Sequence, residues 1–308
     1  MHPGDDHERL SGDRRALAAA LALIAALMVG EIVAGLLAGS LALLADAGHL
    51  LSDAAALGFA LVAAALAARP ARGSWTYGFS RLEILAAQAN GVALLVVALL
   101  IVFAAVRRIV SPNEVRGGLV LVVALAGMAV SLAATGLLAR ASRESLNVRG
   151  AFLHVASDLA AFAGTAAAGG VVLATGWDRA DPVASLLVAA LMLWASVSLL
   201  RESARIFLER SPAEIDPSKV GRAIVAVPSV VEAHDLHVWT VTSGFPALSA
   251  HVLVEPGADC HGVRRILEAM LVERFGVDHT TLQVDHVGSH AGVPVEIGER
   301  FRRESPLA

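Results

Sequence analysis

Residues 40–59 read SLALLADAGHLLSDAAALGF, an apolar run with His49 and Asp53 in its middle. The run is long enough to cross a bilayer as a helix, which takes about 20 residues. Four residues is just over one helical turn, so both side chains leave the same face and can grip a common ion. An ionised aspartate at the centre of a bilayer costs roughly 2.5–3.5 kcal/mol on insertion scales, so it persists there beside a partner. The chain supplies one at residues 151–162, AFLHVASDLAAF, where His154 and Asp158 repeat the spacing. HLLSDAAA and HVASDLAA agree at five of eight positions.

The surrounding composition fits a membrane protein. The chain has 308 residues, is 56% hydrophobic, and has a mean hydropathy of +0.66. Soluble domains sit near 45–50% apolar on roughly the same count. The opening MHPGDDHERLSGDRR is polar and of mixed charge, unlike the basic start of a secretory signal, so the first apolar run is expected to be retained. Cys260 is the one cysteine, which excludes an intrachain disulfide. Lys219 is the one lysine among 24 basic residues, a compositional bias rather than a chemical signal. A net charge of −4 says little, because the distribution of arginines matters more than their sum; no nucleic-acid partner is expected.

Six apolar runs follow one another at about 16–38, 41–67, 82–106, 117–139, 148–175 and 182–200. Pro70, Pro112 and Pro182 fall in or beside the connections, where a missing amide does least harm. Small residues such as those from Gly164 to Gly169 suit close helix contact in lipid. With the N-terminus in the cytoplasm, twelve arginines lie inside (9, 14, 15, 69, 72, 81, 140, 143, 149, 201, 205 and 210) and four outside (107, 108, 116 and 179). That asymmetry places both termini in the cytoplasm. Arg107 and Arg108 dissent, and their position at a helix end lets them snorkel outward and meet terminal carbonyls.

After Arg210 the pattern changes. Asp216 and Pro217 read as N-cap and first residue of a short helix. VVEAHDLHVWTVT is a strand, ALSAHVLVE a second, ADCHGVRRILEAMLVERFG an amphipathic helix, and HTTLQVDHV a third strand. The predicted architecture is a polar N-terminal tail (1–15), an all-α six-helix transmembrane domain (16–206), a small cytoplasmic α+β domain of order α-β-β-α-β, ferredoxin-like (207–290), and a flexible C-terminal tail (291–308).

Two imidazoles and two carboxylates form a four-ligand set suited to tetrahedral Zn²⁺, and two aspartates neutralise one divalent cation. Cd²⁺ or Co²⁺ would also be accepted. Protons compete for the same ligands, so a site opening alternately to each side would exchange metal for protons. Asp46 reads either as lining the approach to this site or as an interfacial residue. Glu31, Gln88 and Asn90 read as interhelical hydrogen-bond partners. Arg81 and Glu83 read as an ion pair or an interface anchor. A second histidine cluster lies in the soluble domain: His234, His237, His251, His261, His279 and His286, with Asp235, Asp285 and Cys260. Strand alternation puts His234 on the face opposite Asp235 and His237. His251, with Gln283 and Asp285, converges with one set or the other.

At these residues the chain resembles the cation diffusion facilitator family of metal transporters. The likeness is carried by SLALLADAGHLLSD, YGFSRLEILAAQANG, SLNVRGAFLHVASD, DPVASLL, HDLHVWTVTSG and HTTLQVD, which together span nearly the whole chain. The resemblance implies a multi-pass protein of the inner membrane, a homodimer whose cytoplasmic domains pair, and Zn²⁺/H⁺ antiport through His49, Asp53, His154 and Asp158. It also implies a cytoplasmic metal site at His234, His251, Gln283 and Asp285, with His261 bridging. Two loops depart from metal-binding relatives: ASRESLNVR between helices four and five has no histidine, and RPARGSWTYGF between helices two and three has no His, Cys or acid. Two other readings of the residues are a metal sensor without flux and an intramembrane metallohydrolase. The second lacks a His-Glu-x-x-His motif and a carboxylate placed as a general base.

Overall fold

The computed structural model describes residues 25–67, 69–141, 147–288 and 300–303. The first part of the first apolar run, most of the loop ASRESLNVR and residues 289–299 lie outside that set. The chain divides into two compact units: residues up to 60 with 89–200, and residues 61–88 with 201–308.

The helical part runs α1 (Ala25–Ala38), α2 (Leu41–Ala67), α3 (Leu82–Val110), α4 (Gly117–Ala141), α5 (Asn147–Thr175) and α6 (Ala180–Phe207). Among the described residues, Leu82–Val110, Asp158–Thr175 and Ala180–Phe207 are long and apolar enough to cross a membrane. Shorter apolar segments stand at Ala25–Ala38, Leu41–Ser52 and Gly117–Leu132. Each lies in one of the six runs read from the sequence or overlaps it.

What joins α1 to α2 is a two-residue corner. Gly39 takes φ +66°, the left-handed conformation that ends a helix, and the Ser40 amide donates to the Gly35 carbonyl at 3.0 Å. The first amides of α2 would then lack acceptors. Asp181, from the start of α6, supplies them: its carboxylate accepts from the Leu41 amide at 2.7 Å, the Ala42 amide at 3.4 Å and the Ser40 hydroxyl. Arg108 completes the corner, donating to the Gly39 carbonyl at 2.6 Å with its guanidinium 3.9 Å from Asp181. It meets the end of a neighbouring helix rather than of its own.

Small residues set the packing between helices. A Cβ on Gly117 would sit 2.6 Å from the Gly169 carbonyl, closer than real Cβ contacts come. The backbones of α4 and α5 therefore touch, as the Gly164–Gly169 stretch led us to expect. Ala34, Ala38, Ala42, Leu43, Val120 and Val172 fill one core layer; Ala45, Leu94, Ala98, Val188 and Met192 fill another.

In the second unit, α7 (Pro217–Val225) opens with Asp216 accepting from the Ser218 amide and Pro217 in the first turn, as the sequence indicated. β1 (Val230–Thr242), β2 (Phe245–Val254), α8 (Cys260–Phe275) and β3 (His279–His286) follow. β1 and β2 are antiparallel, β2 and β3 parallel, so α8 is the crossover that parallel pairing demands. Val263, Leu267 and Leu271 of α8 pack into a core with Val220, Ile224, Val252 and Leu248. Ile266 of the same helix is exposed.

The C-terminal tail, expected to be flexible, adds a fourth strand. β4 (Phe301–Arg302) pairs antiparallel with β1, giving the order β3-β2-β1-β4. Phe301 lies on Gly221, where a side chain would collide with its ring, and Arg302 donates to Glu232 at 2.7 Å. One aromatic ring and one buried acid hold the segment where composition gave no signal. In the same unit Arg81 pairs with Glu209 at 3.3 Å rather than with Glu83, and Thr242 donates to the Ser80 carbonyl at 2.9 Å.

Candidate functional site

In the membrane-spanning part, α2 carries positions 49 and 53 and α5 carries 154 and 158, each pair one turn apart. His49 Nε2 stands 3.3 Å from Asp158 Oδ1, the two side chains 17% and 11% exposed. The helices thus bring an imidazole and a carboxylate from the two repeats face to face. The side chains of Asp53 and His154 lie outside the described residues.

Two acids the sequence left unresolved sit in the same unit. Asp46, one turn before His49, is 3% exposed and accepts from the Thr165 hydroxyl of α5 at 2.8 Å. It is therefore buried among the helices. Glu31 of α1 has no exposed surface, and neither of its oxygens has a hydrogen-bond partner among the described residues. The expected bonding role does hold for Asn90, which accepts from Ser52 at 3.1 Å. Thr165 and Asp181 are contributors that sequence reasoning missed. A threonine in an apolar helix carries no signal by itself, whereas Asp181 stands in the DPVASLL motif.

In the cytoplasmic domain, His234 of β1 is directly opposite His251 of β2, their rings edge to face at 5.5 Å between centroids. Asp235 has φ +50°, and the register shifts between His234 and His237. This bulge overturns the alternation expected for the strand, since an extra residue re-aims its neighbours. Asp235 consequently reaches His251, 3.7 Å from its Nδ1, and ligand atoms of His234, Asp235 and His251 lie within 4.8 Å of one another. Their spacing allows one metal ion to be shared.

Of the set expected from the resemblance, His234 and His251 stand in this trio. Gln283, opposite His251 in the sheet, lines the same 360 Å³ cavity as Asp235 and His251 but donates to Asp285 at 2.8 Å. Asp235 joins the two histidines, while Gln283 and Asp285 pair with each other. His261 is exposed on α8 and does not belong to this trio. His286 sits instead beside Cys260 Sγ, 3.7 Å away, and 3.1 Å from the Ala258 carbonyl.

Comparison with known proteins finds two matching domains. Residues 17–208 match the cation efflux transmembrane domain, and residues 212–287 match the cation efflux protein cytoplasmic domain. The chain is 39% identical to the zinc transporter ZitB of Shigella flexneri, over 90% of this chain and 88% of that one. It is 37% identical to the metal cation efflux system protein CzcD of Cupriavidus metallidurans, over 92% and 90%. A cadmium, cobalt and zinc/H(+)-K(+) antiporter of Bacillus subtilis is 36% identical over 92% of each chain. Among solved structures, the metal-bound C-terminal domain of the CzcD transporter is 35% identical, covering 23% of this chain and 97% of that one, with a TM-score of 0.22. With both domains matched and relatives at this identity along nearly its full length, the chain belongs to the cation efflux, or cation diffusion facilitator, family of membrane transporters and is not an enzyme.

Proposed function

We propose that this protein exports Zn²⁺ from the cytoplasm in exchange for protons, through His49, Asp53, His154 and Asp158. The observation that carries the reading is the 3.3 Å approach of His49 Nε2 to Asp158 Oδ1 between the two helices that bear the repeated His-x-x-x-Asp pairs. Two nitrogens and two carboxylate oxygens are a borderline-soft set, suited to Zn²⁺ and tolerant of Cd²⁺ or Co²⁺. Two aspartates cancel the ion's charge, so the loaded site is far less costly in lipid than either half alone. Binding needs neutral imidazole and ionised carboxylate, so protons arriving from outside displace the metal. Rocking of helix groups around the fixed site would turn that competition into transport.

The arginine asymmetry supports an inner-membrane protein with both termini in the cytoplasm, and so an export direction. Pairing of the cytoplasmic domains would make the protein a homodimer. The close set of His234, Asp235 and His251 supports a regulatory metal site in that domain. Asp158→Ala or Asp53→Ala is expected to abolish proton-linked zinc uptake into inverted vesicles while the protein remains folded. Retained uptake in either variant would remove the proposed transport site.

A further inference from the structure

We propose that Glu232 is a positioning residue for His234 in the cytoplasmic metal site, and that the C-terminal strand β4 tunes that site by holding Glu232 in place. The inference deepens the regulatory-site reading above and rests on it. Glu232 and His234 stand two residues apart on β1 with no register shift between them, so they leave the same face of the strand. Both are buried, at 8% and 7% exposed. His234 Nδ1 makes no hydrogen bond among the described residues, and Glu232 Oε1 stands 3.3 Å from it. The C-terminal segment grips the same carboxylate. Arg302 donates to Oε2 at 2.7 Å, and Arg300 Nε is 3.3 Å from Oε1. Arg302 is directly opposite Glu232 in the β1–β4 ladder, and the Arg303 amide donates to the Val231 carbonyl at 3.1 Å.

An acid at this depth stays there when donors meet it, because burying a carboxylate without partners is costly. The two arginines supply charge-assisted contacts that keep the carboxylate turned inward beside His234. A small rotation of either side chain closes the 3.3 Å approach into a hydrogen bond from Nδ1–H. A carboxylate at Nδ1 selects the tautomer protonated there, leaves Nε2 with its lone pair for a metal ion, and fixes the plane of the ring. Once the arginines are withdrawn, Glu232 can turn toward solvent, and His234 loses both constraints. The linkage runs in both directions. A metal ion that holds His234 also holds Glu232, and through it β4. Glu232 itself ligates nothing in this scheme; it acts through the imidazole.

The test is amide hydrogen exchange of the full-length protein across a zinc titration, read by mass spectrometry on peptides from β1 and β2. Those peptides report this site apart from the transmembrane one. Glu232→Ala and Arg302→Ala are expected to raise the zinc concentration at half-protection by about 10-fold. Glu232→Gln keeps an acceptor beside Nδ1 and should raise it less than Glu232→Ala does. Zinc should also slow exchange at Arg303 in wild type, and fail to do so in Glu232→Ala. The readout that a merely structural role would not move is the His234 tautomer. In zinc-free protein labelled with heavy-nitrogen histidine, the His234 signals, assigned by their loss in His234→Gln, should show the Nδ1-protonated form in wild type and a mixture in Glu232→Ala. Arg302 is an exposed side chain, so Arg302→Ala leaves the core untouched if Glu232→Ala fails to fold. If Asp235→Ala and His251→Ala shift the zinc midpoint while Glu232→Gln and Arg302→Ala change neither midpoint nor tautomer, the proposal is overturned and the metal site stands. If Asp235→Ala and His251→Ala leave the midpoint unchanged, the metal site itself falls, and the positioning role with it.

Discussion

Replacing Asp181 by asparagine removes the acceptor around which the α1–α2 corner is built. In the native chain its carboxylate takes the Leu41 amide at 2.7 Å, the Ala42 amide at 3.4 Å and the Ser40 hydroxyl, 139 to 141 residues away in sequence. Asparagine keeps one carbonyl oxygen but turns an NH₂ group toward a backbone donor, so at least one buried amide loses its acceptor. Hydrogen bonds to charged groups contribute about 1.5–3 kcal/mol, and an orphaned buried donor costs about 1–3 kcal/mol. The guanidinium of Arg108, 3.9 Å from the carboxylate, loses its counter-charge as well. Together these give a loss of roughly 2–4 kcal/mol. At about 2–4 °C per kcal/mol for a domain of this size, thermal unfolding in detergent should shift down by several degrees. Tryptophan fluorescence during a temperature ramp, with monodispersity checked by size exclusion, reads this directly. A shift of under about 1 °C would refute the capping argument, because no buried amide would then have lost anything it needed.

Three further outcomes follow from the geometry. Gly117→Ala or Gly169→Ala forces apart backbones that already touch, and should lower stability by about 1–3 kcal/mol, read as loss of monodisperse protein on mild heating. Asp235→Ala should weaken zinc binding by the cytoplasmic domain more than Gln283→Ala does, as followed by calorimetry. Equal effects would return Gln283 to the ligand set. Phe301→Ala should uncover the Gly221 face and release β4, seen as faster amide exchange along Val231–Ala233 of β1; unchanged exchange would show that the strand does not depend on that ring.

How much of this was legible beforehand depends on whether the signal was local. The Asp216–Pro217 helix start and the bounds of β1 are written in local spacing and alternation, and the fold reproduces them. Glu31 was visible as an acid in an apolar run, yet its full burial, with no hydrogen-bond partner among the described residues, depends on neighbours the sequence does not place. Asp181 stood in a recognisable motif, but its role as a cap for α2 is a contact between residues far apart in the chain. Asp235 was assigned to the wrong face because alternation assumes an unbroken strand, and a bulge is a property of the pair of strands. β4 is two residues long, too short for any periodic pattern, and is held by contacts such as Phe301 against Gly221 and Arg302 on Glu232.

The central claim is metal-for-proton exchange through the paired helices, and flux is its most direct measure. Full-length protein reconstituted in liposomes with an enclosed zinc-sensitive dye, assayed with and without an imposed pH gradient, separates transport from mere binding. Wild type should move zinc faster as the gradient steepens, stop when a protonophore collapses it, and lose this behaviour in Asp158→Ala. Zinc entry indifferent to the gradient, or undiminished in Asp158→Ala, would contradict the account.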